Sequence, residues 1–298
     1  MDMLLPFVFI GEVISLLRSN DVNTLGDSLK SGKWSCACSE HSRKRVSYVI
    51  KFCPLGRDDL RYCLESTKGF AGHLTLADVR TINRKFLQFQ SIYIGDEEKF
   101  SRVEKWPKAR VEEVINLIQF ASKCCVNGVI SSIMDLSIHA VHFSRHIRIY
   151  EGLLIAGLFG EGLEINYVGE ISQRLLKAHA DCEATRYLHL QGIWPQHIIS
   201  DVRKIILNRH FESFLCHSIS FDSKLIAELF DNWGKDHWLS VKQTFEFKNN
   251  PETCTEVQKH FDSNCKTDAD GFLIRKGDSK GGVVADCLMH HVRLQFTT

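Results

Sequence analysis

Three stretches of the chain carry residue types whose spacing could do chemistry. Gly277-Asp278-Ser279-Lys280-Gly281 fits the G-x-S-x-G pattern, in which a serine nucleophile sits on a sharp strand-to-helix turn. The following GVVADCLMHH reads as a strand instead, and Asp286, His290 and His291 crowd too closely for a hydrolase layout. A Gly-rich hairpin turn explains the stretch better, so a hydrolase using Ser279 is the lesser reading. Cys36, Cys38 and His41, with Cys53 or Cys63, offer the thiolate and imidazole donors that zinc prefers. They lack the paired C-x2-C spacing, and free cysteines are among the most commonly buried residues. His139, His142 and His146 could share a helix face, but no glutamate of an H-E-x-x-H motif accompanies them. GDSLKSGKW, at Gly26 to Trp34, fails as a phosphate loop because its glycine spacing is wrong and Trp34 stands where a hydroxyl is needed. No catalytic residue, metal or cofactor is expected, and the chain reads as a non-enzyme.

Composition narrows the function classes further. With 37 basic and 36 acidic residues the net charge is +1, which gives no field to gather nucleic acid or an acidic membrane. Eleven cysteines without an export signal suggest reduced thiols and a cytoplasmic or nuclear protein. Asp2, Pro6, Gly11 and Glu12 interrupt the opening apolar run, and no stretch reaches the roughly 20 apolar residues of a membrane span.

The elements that must position any site are of mixed α/β type. Ile10, Val13, Ile14 and Leu17 recur at helical spacing after Pro6, and Val22, Leu25 and Leu29 give a second apolar face before Trp34. RVSYVIKFC and FLQFQSIYIGDE read as strands, and Val111, Val114, Ile115, Ile118 and Ala121 mark a helix.

In the second half, Leu136-Ser137-Ile138, Leu163-Glu164-Ile165, Leu188-His189-Leu190 and the weaker Phe214-Leu215-Cys216 recur every 25 to 27 residues. Helical patterns lie between them, at EISQRLLKAH, WPQHIISDVRKIILN and FDSKLIAELFDNW. This is the step of an irregular leucine-rich-repeat-like array over 130–248, with an unrepetitive α/β domain as the alternative. In such an array the apolar residues point inward, and Ser137, Glu164 and His189 line an exposed sheet that binds a protein. SVKQTFEFK, GFLIRKGDSKGGVVADC and HVRLQF predict an antiparallel β element at the end.

The order Leu5-Pro6, Ile10, Ile14, Leu17, Asp21-Val22 and Trp34 resembles an F-box, although Phe7 and Val8 stand where an acidic residue usually follows the Leu-Pro. MDMLLPFVF followed by KWSCACSEHSRKRVSYVIKF is similar to the start of the F-box-like proteins expanded in nematodes. The resemblance implies an F-box-like module at 1–44 and an α/β substrate-recognition domain at 45–298. It implies that Leu5, Pro6, Ile10, Val13, Ile14, Leu17, Val22 and Trp34 form a surface for the Skp-type adaptor of a cullin-RING ubiquitin ligase. An unknown protein target would sit on the rest. Helices 1–44 packing simply as core, in an interaction scaffold without ligase binding, is the alternative.

Overall fold

A computed structural model describes residues 6–15, 17, 19–29, 32–55, 59–67, 74–137, 143–234, 243–260, 266–267, 273–276, 282–287 and 291–297. The fold is mixed α/β, and the chain divides into two compact units, Met1–Ser132 with Leu136–Phe159, and Ile133–Asp135 with Gly160–Thr298.

The first unit opens with α1 (Phe7–Ser15), α2 (Ser19–Ser28) and α3 (Lys33–Lys44). Helical spacing brings Ile10, Ile14, Val22, Ala37 and Cys38 into one buried cluster, with Leu17, Leu25 and Trp34 packed around it. Arg45 fastens this cluster: it is 3% exposed, and its guanidinium donates to the carbonyls of Leu17 at 2.7 Å and Ile14 at 2.8 Å. The Ile14 carbonyl, in the last turn of α1, also accepts from the Leu17 N–H at 3.0 Å, and the Leu17 carbonyl just beyond it from Gln88 Nε2 at 2.9 Å; the cation adds to these bonds and complements the helix dipole.

β1 (Val46–Pro54) follows, antiparallel to β2 (Asp59–Ser66) and parallel to β3 (Leu87–Ile94). With β4 (Lys108–Arg110) and β5 (Val129–Asp135), the strand order is β5-β3-β1-β2-β4. α4 (Leu76–Arg80) begins with a reciprocal cap between Thr75 and Asp78. α5 (Val111–Lys123) turns Val111, Val114, Leu117, Ile118, Phe120 and Ala121 inward, and α6 (Phe143–Ala156) packs on it through Gly152, whose missing Cβ makes room for Ile118 and Ile115.

A close approach elsewhere in this unit is testable. Gly128 has φ +67°, and a Cβ there would lie 2.3 Å from the Gly157 carbonyl oxygen, whereas one on Gly157, at φ +58°, would meet nothing within 4 Å. Gly128→Ala is expected to cost about 2–4 kcal/mol, combining left-handed strain with a backbone clash, and Gly157→Ala only the strain, about 1 kcal/mol. Urea unfolding of the two variants measures the difference; equal losses would contradict it.

In the second unit β6 (Phe159–Asn166), β7 (Tyr187–Gln191), β8 (Ser213–Cys216) and β9 (Gln243–Lys248) run parallel, in the register Leu163↔Leu188↔Phe214↔Phe245. α7 (Glu170–Cys182), α8 (Ile199–Ile206) and α9 (Ser223–Gly234) connect them, α9 capped by Asp222 accepting from the Leu225 N–H at 2.7 Å. Pro195 precedes a 3-10 turn at Gln196–Ile198 that leads into α8, where Val202, Ile205 and Ile206 are buried. α10 (Pro251–Lys259) is capped by Asn250. β13 (His291–Thr297) then pairs antiparallel with β9, and β12 (Gly282–Cys287), β11 (Leu273–Lys276) and β10 (Lys266–Thr267) extend the sheet from β13. The predicted closing β element is thus present in the described residues.

Strands β6 to β8 repeat at 25 and then 26 residues, as their paired positions show. Side-chain bonds follow the same step: Asn208 Nδ2 donates to the Glu183 carbonyl 25 residues back at 2.9 Å, and the Trp194 N–H to Ser218 Oγ 24 residues on at 3.0 Å. The first predicted strand is displaced, however. β5 ends at Asp135, Leu136 and Ser137 come after it, and Ile138 lies outside the described residues.

Candidate functional site

Burial reassigns the residues singled out at the amino-terminal end. Ile10 and Ile14 are 0% exposed and Val22 is 1% exposed, so all three hold the helices together and offer no surface to a partner. Val13, Leu17 and Trp34 are half-buried, Pro6 is exposed, and Leu5 lies outside the described residues. The open apolar surface of α1 is its first turn, where Phe7, Val8 and Phe9 are 43%, 73% and 51% exposed. Its amides also lack intrahelical acceptors, as in any first helical turn.

Alternation along the strands builds a second surface. In β6 to β9 the residues Leu163, Leu188, Phe214 and Phe245 are buried on one face, while Glu164, His189, Leu215 and Glu246 form a less buried row on the other, continued by Arg293 of β13 and Asp286 of β12. Glu164 and His189 are neighbours in register, with His189 Nδ1 3.1 Å from Glu164 Oε1, and Gln191 Nε2 also donates to Glu164. At the same edge of this face, Tyr187 donates its hydroxyl hydrogen to Glu212, which pairs with Arg186. That acceptor, with burial next, holds the Tyr187 phenol above its ordinary range. Ser137 does not join the row: it is 2% exposed, with Oγ 3.3 Å from His146 Nε2, because it follows β5 and turns into the first unit.

A denser polar cluster sits further along. Glu246 Oε1 is 2.6 Å from His217 Nε2 and 3.6 Å from His291 Nε2, and Glu246 Oε2 accepts from Arg293 Nη2 at 2.8 Å and Nε at 2.9 Å. Burial works to raise the Glu246 carboxyl, but the bonds from His217 and Arg293 outweigh it and hold the group below the usual carboxylate range. His217, Glu246 and Arg293 were not singled out from sequence, and His291 was considered only as a partner for Ser279. The available signal was the alternation in QTFEFK and HVRLQF, which puts Glu246 and Arg293 on the polar phase of their strands.

The chemical readings gain nothing from the geometry. Ser279 and His290 lie outside the described residues, as do His139 and His142. The cysteine set is divided: Cys38 packs with Ile10, Ile14 and Val22, whereas Cys53 and Cys63 pack with Val103 and Trp106. His41 is buried, and its imidazole is held below its ordinary range first by that burial and then by the Arg45 charge. Burial pushes the Cys63 thiol up to about 11 and Cys125 up to about 12, so neither is an activated thiolate. No helix among the described residues is long and apolar enough to cross a membrane.

Comparison with protein-family models, curated proteins and solved structures finds no match to this chain.

Proposed function

We propose that this chain is a non-catalytic substrate-recognition adaptor of a Skp/cullin-type ubiquitin ligase, with an F-box-like amino-terminal module and a leucine-rich-repeat-like recognition surface. The observation that carries the reading is the exposed Phe7-Val8-Phe9 turn on a helical module with its own buried core. Contiguous exposed apolar residues on an otherwise packed element mark a partner surface. The resemblance of 5–34 to an F-box supplies the partner, a Skp-type adaptor, although the docking surface then begins at Pro6 and runs through Phe9, and Ile10 and Ile14 serve behind it.

The target side is the polar face of the second unit, centred on Glu164 and His189, with exposed Tyr187 in the same strand as His189 and exposed Ile193 just after that strand. An aromatic and an aliphatic anchor among hydrogen-bonding side chains suit a protein ligand. The mechanism is proximity: one surface holds the adaptor, the other the target, and the ligase works at raised effective concentration.

A pull-down with a purified Skp-type adaptor tests this. A Val8→Asp, Phe9→Asp double variant should keep its fold, since both side chains are exposed, and lose at least about 10-fold in capture, the equivalent of about 1.4 kcal/mol. Capture of neither intact nor variant chain would favour the scaffold reading, in which the same surface meets a different partner.

A further inference from the structure

The cluster around Glu246 brings together donors from separate strands. His217 follows β8, Glu246 is central in β9 and His291 opens β13, so three neighbouring strands each supply one donor. The seam is structurally distinct, since β9 is parallel to β8 and antiparallel to β13. One ligand atom from each residue lies within 4.8 Å of the other two.

We propose that His217, Glu246 and His291 form a divalent transition-metal site of the two-histidine, one-carboxylate type. Three features support it. Two imidazoles and a carboxylate are a donor set that zinc accepts, with ligand–metal distances of about 2.0–2.2 Å and a remaining position left for water. Tetrahedral binding at that range separates ligand atoms by about 3.3 Å, so the present 2.6 Å and 3.6 Å contacts each change by under about 1 Å, and the separation of the two histidine nitrogens, within 4.8 Å, closes by at most about 1.5 Å shared between two side chains. The carboxylate is also divided in its duties. Arg293 takes Oε2 through two N–H donors while both histidine Nε2 atoms converge on Oε1, which is how an outer partner orients a ligating carboxylate.

Access matches this role. The His217 side chain is 59% exposed and that of His291 25%, so a hydrated ion can arrive from solvent, whereas Glu246, at 14%, is held in place. The His217 ring lies 5.2 Å from the His291 ring, nearly parallel to it, which keeps the two edges together over the carboxylate. On binding, the metal takes the Nε2 lone pair of neutral His217, whose single N–H then sits on Nδ1, and the Nε2–Glu246 Oε1 hydrogen bond is exchanged for two bonds to the metal.

Titration of the metal-free full chain with cobalt(II) at neutral pH distinguishes this site from the cysteines. One equivalent should bind with the spectrum of nitrogen and oxygen ligation, lacking thiolate-to-cobalt charge transfer. His217→Ala and His291→Ala should each weaken that binding by at least about 10-fold, the least that even outer-shell changes cost at metal sites. Independently of any substitution, zinc addition should shift the ring nitrogen resonances of His217 and His291 in the intact chain. Absence of binding, a spectrum of thiolate ligation alone, or unmoved His217 and His291 resonances would overturn the proposal. Its failure would leave the adaptor reading intact, because the first helix takes no part in it.

Discussion

Ile14→Asp is expected to unfold the amino-terminal helical module, at a cost of at least about 4 kcal/mol. Ile14 is 0% exposed and packs with Ile10, Val22, Ala37 and Cys38, so the carboxylate would be cut off from water among apolar side chains, with the nearby Arg45 guanidinium already committed to backbone carbonyls. Its own backbone carbonyl accepts from Arg45 at 2.8 Å, so loss of α1 would also release a buried guanidinium. The contrast with Val8→Asp, expected to stay within about 0.5 kcal/mol at a 73% exposed position, separates core from contact. Circular dichroism and urea unfolding of the two variants check it. A folded Ile14→Asp chain would mean that the three helices do not share this core.

Acid should destabilise the second unit well before its carboxylates are protonated. His179 of α7 is fully buried; its Nδ1–H donates to the Leu175 carbonyl at 2.9 Å, and its Nε2 accepts from the Gly160 N–H at 3.2 Å. Both ring nitrogens are committed to the neutral tautomer, and a proton on Nε2 would face another N–H. Burial therefore pushes the imidazole from its ordinary 6.5 down to about 4, with the Leu175 bond opposing in part. Because the folded value is depressed, the unfolded chain binds this proton first as pH falls. Stability from His179 is full above about pH 6.5 and is lost progressively down to about pH 4, by on the order of 3 kcal/mol in all. Unfolding measured between about pH 7 and about pH 5 should show that slope. His179→Gln keeps an acceptor and a donor but cannot titrate, and should flatten it; an unchanged slope in the variant would assign the effect elsewhere. Glu246 and Glu256, both held below the usual carboxylate range, act at lower pH.

Much of the second unit was legible because its period is simple. Leu163, Leu188 and Phe214 were paired by spacing alone, and the same residues are partners in the sheet. Spacing misled at Ser137, since an apolar-x-apolar triplet reads the same whether its first residues lie in a strand or, like Leu136 and Ser137, just past the end of one. The polar phase of each strand was legible too, which placed Glu164 and His189 on one face. What brings Glu246 to His217, 29 residues away, and to Arg293, 47 away, is strand register, and register is fixed by packing across the whole sheet. At the other end, apolar periodicity supplied the helical spacing of Ile10 and Ile14 but not which side of α1 the following helices would cover. Arg45 decided that, by reaching back to the end of α1.

Amide hydrogen exchange of the intact chain, with and without a purified Skp-type adaptor, tests adaptor docking most directly. Amides in the first turn of α1 have no helical acceptors and exchange fast in the free chain. Adaptor binding through Phe7, Val8 and Phe9 should slow exchange there, with the face carrying Glu164 and His189 unchanged and free for a target. Identical exchange throughout, at an adaptor concentration that saturates an F-box control, would contradict adaptor binding by this chain.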